Sequence, residues 1–125
     1  MIEKLFSGAN YAMSKTMLDV SAARHEALAS NIANAETPGY HRVDVSKTFF
    51  QELQQQFKAG KPTTTGDGPM VEVDSAARSG RADGNNVQLD SELLQMGSNE
   101  LQYETLTDFV SGSLAQLKTA ITGRT

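Results

Sequence analysis

The sequence predicts a mostly α-helical protein, with a long N-terminal and a long C-terminal helix packed as an antiparallel, coiled-coil-like pair. Three observations carry that prediction. Small or apolar residues recur three and four apart over the first 35 residues, and larger ones do so over the last third. Between them the chain turns polar, rich in Gly, Thr and Asp, which predicts an irregular middle with a short helix and possible short β-strands. The 125 residues amount to one domain. It divides into an N-terminal helix over 1–35, a turn, short helix or strand and loop segment over 36–86, and a C-terminal heptad helix over 87–125.

The first helix places Ile2, Phe6, Ala9, Met13, Thr16, Val20, Ala23 and Ala27 on one stripe, continued by Ser30 and Asn34. The stripe is built mainly of small side chains, which let a neighbouring backbone come close. Gly8 weakens the start, so the helix is predicted to begin in earnest after it. Thr37-Pro38-Gly39 is a turn, because Pro presets φ and Gly accepts the positive φ of a type II turn. Tyr40 to Val45 reads as extended. Lys47 to Ala59 is amphipathic through Phe49, Phe50, Leu53 and Phe57 and predicts a short helix. Gly60 to Pro69 reads as an exposed loop, Met70 to Asp74 alternates like a strand seeking a partner, and Ser75 to Asn85 is loop again.

The last helix carries Leu89, Leu93, Met96, Tyr103, Val110, Leu114, Leu117 and Ile121 on alternating steps of four and three, interrupted at Glu100 and Thr107. Leu101 and Leu106 stand ready to take over beside those breaks. Asn86 or Asp90 is the expected N-cap, Glu92 adds negative charge to the first turn, and Gly123 ends the helix. The candidate assembly surface is therefore Ile2, Phe6, Met13, Val20, Ala27, Asn31 and Asn34 on the first helix with the eight heptad residues on the last.

Composition explains why assembly is expected. Only 38% of residues are hydrophobic and 6% aromatic, with no Trp, so a single chain has little material for a self-sufficient core. A monomeric two-helix hairpin with a loose loop is the plain alternative. The net charge of −4 and the lack of a basic run argue against nucleic acid. There is no Cys, so neither disulfides nor thiolate metal sites contribute. No cleavable signal peptide and no apolar run near the ~20 residues needed to span a bilayer is evident.

A catalytic reading finds no support. His25 and His41 each stand apart, without a companion at metal-ligand spacing or an adjacent nucleophile. Glu100 and Glu104 are like-charged neighbours on one helix face. Asp83-Gly84-Asn85-Asn86 lacks the alternating ligands and the closing Glu of a calcium loop. The sequence thus predicts neither an enzyme nor a bound cofactor or metal. The segment that asks for an explanation is Ala27 to Tyr40. Asn31 and Asn34 emerge three apart near the helix end, where an amide that donates and accepts ties the closing turn to adjacent backbone. Helix, amides, turn and aromatic together read as a specified corner: Asn31 and Asn34, then Thr37, Pro38, Gly39 and Tyr40.

Two stretches resemble the flagellar rod and hook axial proteins. One is Ser30-Asn31-Ile32-Ala33-Asn34 followed by Thr37-Pro38-Gly39-Tyr40. The other is Gly84-Asn85-Asn86-Val87-Gln88-Leu89-Asp90-Ser91-Glu92-Leu93, with Met96, Asn99, Leu101 and Tyr103 after it. The resemblance covers both terminal thirds; Gln88, Leu93 and Gly97 depart from the family pattern. It implies a structural subunit of the proximal rod of the basal body, whose terminal helices pack with neighbouring copies into a hollow helical tube that transmits torque and forms the export channel. The partners it implies are further copies of the chain, other rod proteins such as FlgC and FlgF-like subunits, the rod–ring adaptor FliE and the membrane ring. It also implies a periplasmic location reached through the flagellar type III export apparatus, with Phe49 and Leu53 resembling the Phe-x-x-x-apolar element that the export gate recognises. Another axial subunit such as FlgC, or a helical export chaperone or adaptor, is the alternative within this reading.

Overall fold

The structure, a computed structural model, describes residues 8–60 and 68–123. Ile2 and Phe6 of the expected stripe, and most of the Gly60 to Pro69 loop, lie outside the described residues. Helix α1 spans Gly8–Ala33, strand β1 Val43–Val45, helix α2 Lys47–Lys58, strand β2 Val71–Val73 and helix α3 Leu89–Thr122.

α1 and α3 pack against each other and run antiparallel: Ser21 meets Asn99, Arg24 meets Gln95, and Asn31 meets Glu92. At 1.5 Å per residue α3 is about 50 Å long. It ends as expected at Gly123, whose φ of 63° is left-handed and whose N–H bonds the Thr119 carbonyl at 2.8 Å. Its start differs from expectation. Gln88 occupies the N-cap position with no side-chain cap bond, because the Asn86 amide is engaged elsewhere and Asp90 already lies inside the helix.

β1 and β2 form a two-stranded antiparallel sheet with Val43 opposite Val73, Asp44 opposite Glu72 and Val45 opposite Val71. The alternating Met70 to Asp74 segment thus finds its partner in its own chain. α2 follows β1 at once, capped by Ser46, whose hydroxyl accepts from the Phe49 N–H at 3.5 Å. Its apolar face buries Phe49 and Leu53 against Val20 of α1 and Val45 of β1, with Met17, Ala23, Phe50 and Phe57 packed around them. This small core holds Val20, Val45, Phe49 and Leu53, while Leu28 and Val87 are buried outside it.

Candidate functional site

The corner after α1 is held by amide side chains. The type II turn forms as read: Gly39 has φ 72° and the Tyr40 N–H bonds the Thr37 carbonyl at 3.3 Å. Asn31, on the last turns of α1, is fully buried. Its Nδ2 donates to the Val43 carbonyl at 2.8 Å and to Glu92 Oε2 at 3.0 Å, and its Oδ1 accepts from the Val43 N–H at 2.8 Å and the Tyr40 hydroxyl at 3.1 Å. All four hydrogen-bonding positions of the amide are filled, and toward Val43 it behaves as one more residue of the sheet. Asn34 is only half-buried and works locally. Its Nδ2 donates to the Ser30 carbonyl at 2.9 Å and its Oδ1 accepts from the Thr37 hydroxyl at 3.2 Å, which closes the helix end.

The second motif reaches back onto that corner. Asn85, also fully buried, aims Nδ2 at the carbonyls of Asn34, Ala35 and Thr37 at 2.9, 3.0 and 2.9 Å, and its Oδ1 accepts from the Val87 N–H at 2.8 Å. These carbonyls belong to the turn that follows α1, and each also accepts a second donor: the Thr37 N–H, Arg81 Nη1 and the Tyr40 N–H respectively. Asn86 Oδ1 accepts from the Arg42 N–H at 2.7 Å and its Nδ2 donates to the Ala77 carbonyl at 3.2 Å. The two resembling stretches, some 50 residues apart, are the two halves of one clasp.

At its centre sits Arg42. Nε donates to Glu92 Oε1 at 2.6 Å and Nη2 to Glu92 Oε2 at 3.4 Å, while Nη1 bonds Asp74 and Nη2 also reaches Asp44 at 3.3 Å. The Glu92 side chain is 2% exposed and that of Arg42 9%, so this is a buried, two-pronged pair in a polar cage. Burial by itself works against the charged guanidinium. The hydrogen bond and charge of Glu92, then Asp74 and Asp44, outweigh it and hold the group more firmly protonated than a free arginine. Asp74 behaves correspondingly. Burial pushes its carboxyl up, but the Ala76 N–H and the bond and charge of Arg42 prevail and hold it below the ordinary 3.8.

A carboxylate with a depressed folded pKa contributes stability that is present above its unfolded pKa and lost as pH falls through the folded value. Asp74 therefore makes the fold acid-sensitive below about pH 4. In urea titrations at stepped pH, the wild-type midpoint is expected to fall more steeply below that pH than the midpoint of Asp74→Asn.

Along α3 the sheltered positions are Ser91, Glu92, Gln95, Met96, Asn99, Leu106, Val110 and Ser113; every other described residue of the helix is exposed. Of the heptad residues, Met96 and Val110 are half-buried. Leu89, Leu93, Tyr103, Leu114, Leu117 and Ile121 are exposed, from 38 to 76%. Leu106 replaces Thr107 as anticipated, whereas Leu101 does not replace Glu100: it is 66% exposed. The stripe residues of α1 are more fully used within the chain, since Val20, Ala27 and Asn31 are buried and Met13 half-buried. Asn99, buried, donates to the Ser21 carbonyl at 2.9 Å, a polar contact in the middle of the helix pair.

Sequence reasoning passed over Arg42 and Asp74, and it named Asn85, Glu92 and Asn99 within the second resembling stretch without their hydrogen-bonding roles. A usable signal was the amide pair after Gly84, since two adjacent amides beside a helix start exceed what one cap requires. His25 borders a groove between α1 and α3 with Glu26, Asn99, Glu100 and Tyr103, and His41 is exposed. Among the described residues no group of three His, Cys, Asp or Glu side chains is placed to hold a metal ion. Nor is any helix among them long and apolar enough to cross a membrane.

The family model described as "Flagella basal body rod protein" matches residues 21–41, the end of α1 and the corner. The chain is 31% identical to the flagellar basal body rod protein FlgB of Aeromonas hydrophila, over 97% of this chain and 95% of that protein. The chain belongs to the FlgB family of flagellar basal body rod proteins. FlgB of Aquifex aeolicus is 33% identical over 96% of this chain and 97% of its own length, and FlgB of Bacillus subtilis 30% over 95% and 97%. As a FlgB-family member the chain is a structural rod subunit of the flagellar basal body. Near-complete coverage in both directions means that clasp, sheet and helix pair all fall within the matched region. The relatives are structural proteins, in keeping with a site made of structural hydrogen bonds.

Proposed function

We propose that the chain builds the proximal rod by helical self-assembly through the outward faces of its terminal helices. Torque would pass along the helices, and the bore would serve as the export channel. The observation that carries this reading is the exposure of α3. Nine of the thirteen large apolar residues exposed among the described residues belong to it: Leu89, Leu93, Leu94, Leu101, Tyr103, Phe109, Leu114, Leu117 and Ile121. A helix that is apolar on several sides is made to be covered on several sides, and exposed apolar surface on this scale marks an interaction site. The sheltered positions of α3 form a single strip between Ser91 and Ser113.

In this reading the corner and sheet over 36–86 brace the two helices, so the three segments work as one unit. Its neighbours would be other copies of the chain, rod proteins of the FlgC and FlgF kinds, the adaptor FliE and the membrane ring, in a periplasmic rod reached through the type III apparatus. No catalytic role is assigned. Phe49 and Leu53 are core residues here, 8 and 2% exposed, so any recognition of them by the export gate would act on the chain before it folds.

Leu94 and Leu101 lie two positions on from Glu92 and Asn99, hence on the side of α3 turned away from α1. At 77 and 66% exposure they contribute little to the isolated fold. The Leu94→Asp/Leu101→Asp chain is expected to keep its urea midpoint and to be secreted, yet to be missing from purified basal bodies of a strain that lacks the native copy, leaving cells non-motile. Normal basal bodies containing the doubly substituted chain would overturn the proposal.

A further inference from the structure

β2 is the outer strand of the sheet, and its far side is open. The Asp74 N–H bonds the Arg42 carbonyl at 2.9 Å and the Ser46 N–H bonds the Met70 carbonyl at 2.8 Å. With the register Val43 to Val73 and Val45 to Val71, the hydrogen-bonded pairs are 42 with 74, 44 with 72, and 46 with 70. The N–H and C=O groups of residues 43, 71 and 73 therefore point away from the ladder. On β1 the outward groups of Val43 are taken up by the Asn31 amide. On β2 those of Val71 and Val73 have no hydrogen-bond partner among the described residues. The side chains along this edge are open as well, with Met70 62%, Val71 43% and Val73 58% exposed. Open strand edges are normally blunted by shortness, charge, proline or a bulge, and β2 is three residues long. This one carries a single charge, Glu72, in an unbroken register.

Charge identifies the occupant. On the sheet face shared by Arg42, Asp44, Glu72 and Asp74, Arg42 pairs with Asp44 and Asp74 and Arg24 lies 3.5 Å from Asp44. Glu72 has no ion pair among the described residues. A second copy of β2 added antiparallel would bond Val71 of one copy to Val73 of the other. It would then set the two Glu72 residues in the close, non-bonded pair, about 4.5 Å apart at Cα. Like charges directly opposite are unfavourable. A strand bearing a cation at that central position gains an ion pair in place of the repulsion.

We propose that the free edge of β2 docks an extended segment of a partner protein that carries Lys or Arg opposite Glu72, with an apolar residue on either side. The two flanking residues exchange main-chain hydrogen bonds with Val71 and Val73, and their side chains extend the valine face.

The test uses the full-length chain and the peptide acetyl-Thr-Val-Lys-Val-Thr-amide, with binding followed through the amide resonances of Val71 and Val73. Saturable shifts confined to this edge are expected. Replacing the peptide's Lys by Glu should weaken binding at least tenfold, and N-methylating its two valines should abolish it. Glu72→Lys, a change at an exposed position, should reverse the preference between the Lys and Glu peptides. Absence of saturable binding up to about 1 mM, or equal binding of the Lys and Glu peptides, would overturn the proposal. So would concentration-dependent dimerisation lost in Val73→Pro, which would make a second copy the occupant.

Discussion

Glu92→Ala is expected to destabilise the folded chain by about 3–5 kcal/mol, the largest effect of any single truncation here. The substitution leaves Arg42, 8% exposed, without its two-pronged partner, and removes the acceptor of the Asn31 Nδ2 at 3.0 Å. Asp74 and Asp44 remain near the guanidinium but are 17 and 20% exposed, so they neutralise it only from the wetter side. Small domains are stable by about 5–15 kcal/mol, so this single loss removes a large share. Arg42→Met should cost a similar amount, for the complementary reason that Glu92 is then a buried, unpaired carboxylate. Arg42→Met/Glu92→Ala should cost clearly less than the sum of the two single changes, with a coupling of roughly 0.5–3 kcal/mol. Urea unfolding of the four proteins closes the cycle; strict additivity would mean that the pair does not act as a unit.

Asn85→Asp tests the clasp with almost no change of shape. The wild-type Nδ2 donates toward three carbonyls within 3.0 Å, whereas an aspartate there presents an oxygen to the same three acceptors in a site with no solvent exposure. The cost combines the lost donor with an uncompensated buried charge, or with the proton needed to neutralise it, and is expected to reach about 3 kcal/mol or more. Hydrogen exchange locates the damage. Protection should fall first at the corner and the first turn of α3, while the α2 core around Leu53 holds longer. Uniform loss across both regions would show that clasp and core open as one unit.

Both substitutions act where the two terminal motifs meet, and this gives the family resemblance a physical content. The first motif supplies a helix end and a turn whose carbonyls converge on one point. The second supplies the amide that donates to them and the carboxylate that fixes Arg42. Neither motif is satisfied alone. α3 consequently starts at a defined place against α1, and its exposed leucines are set at a defined angle for whatever packs on them.

Much of this was legible locally. Three-and-four spacing located both long helices, and the amphipathic run through Phe49 and Leu53 located α2 and its buried face. The Thr37-Pro38-Gly39 turn, the stop at Gly123 and the short strand around Val71–Val73 follow from φ preferences and from alternation within a few residues. Each of these depends on neighbours along the chain, which a sequence displays directly.

What the tertiary structure alone decided is which faces the helices share. The apolar heptad of α3 predicted its contact with α1, yet the buried positions are led by Glu92 and Asn99. A carboxylate or an amide is stable there only because Arg42, Asn31 and the Ser21 carbonyl complete it from 50 to 78 residues away. Hydrophobic patterning ranks such residues as surface, because the cost of burying them is cancelled by partners that no local window contains. The two-helix architecture that opened the sequence reading is thus a property of the sequence itself. The polar clasp that sets its register, and the leucine faces left outside it, belong to the fold.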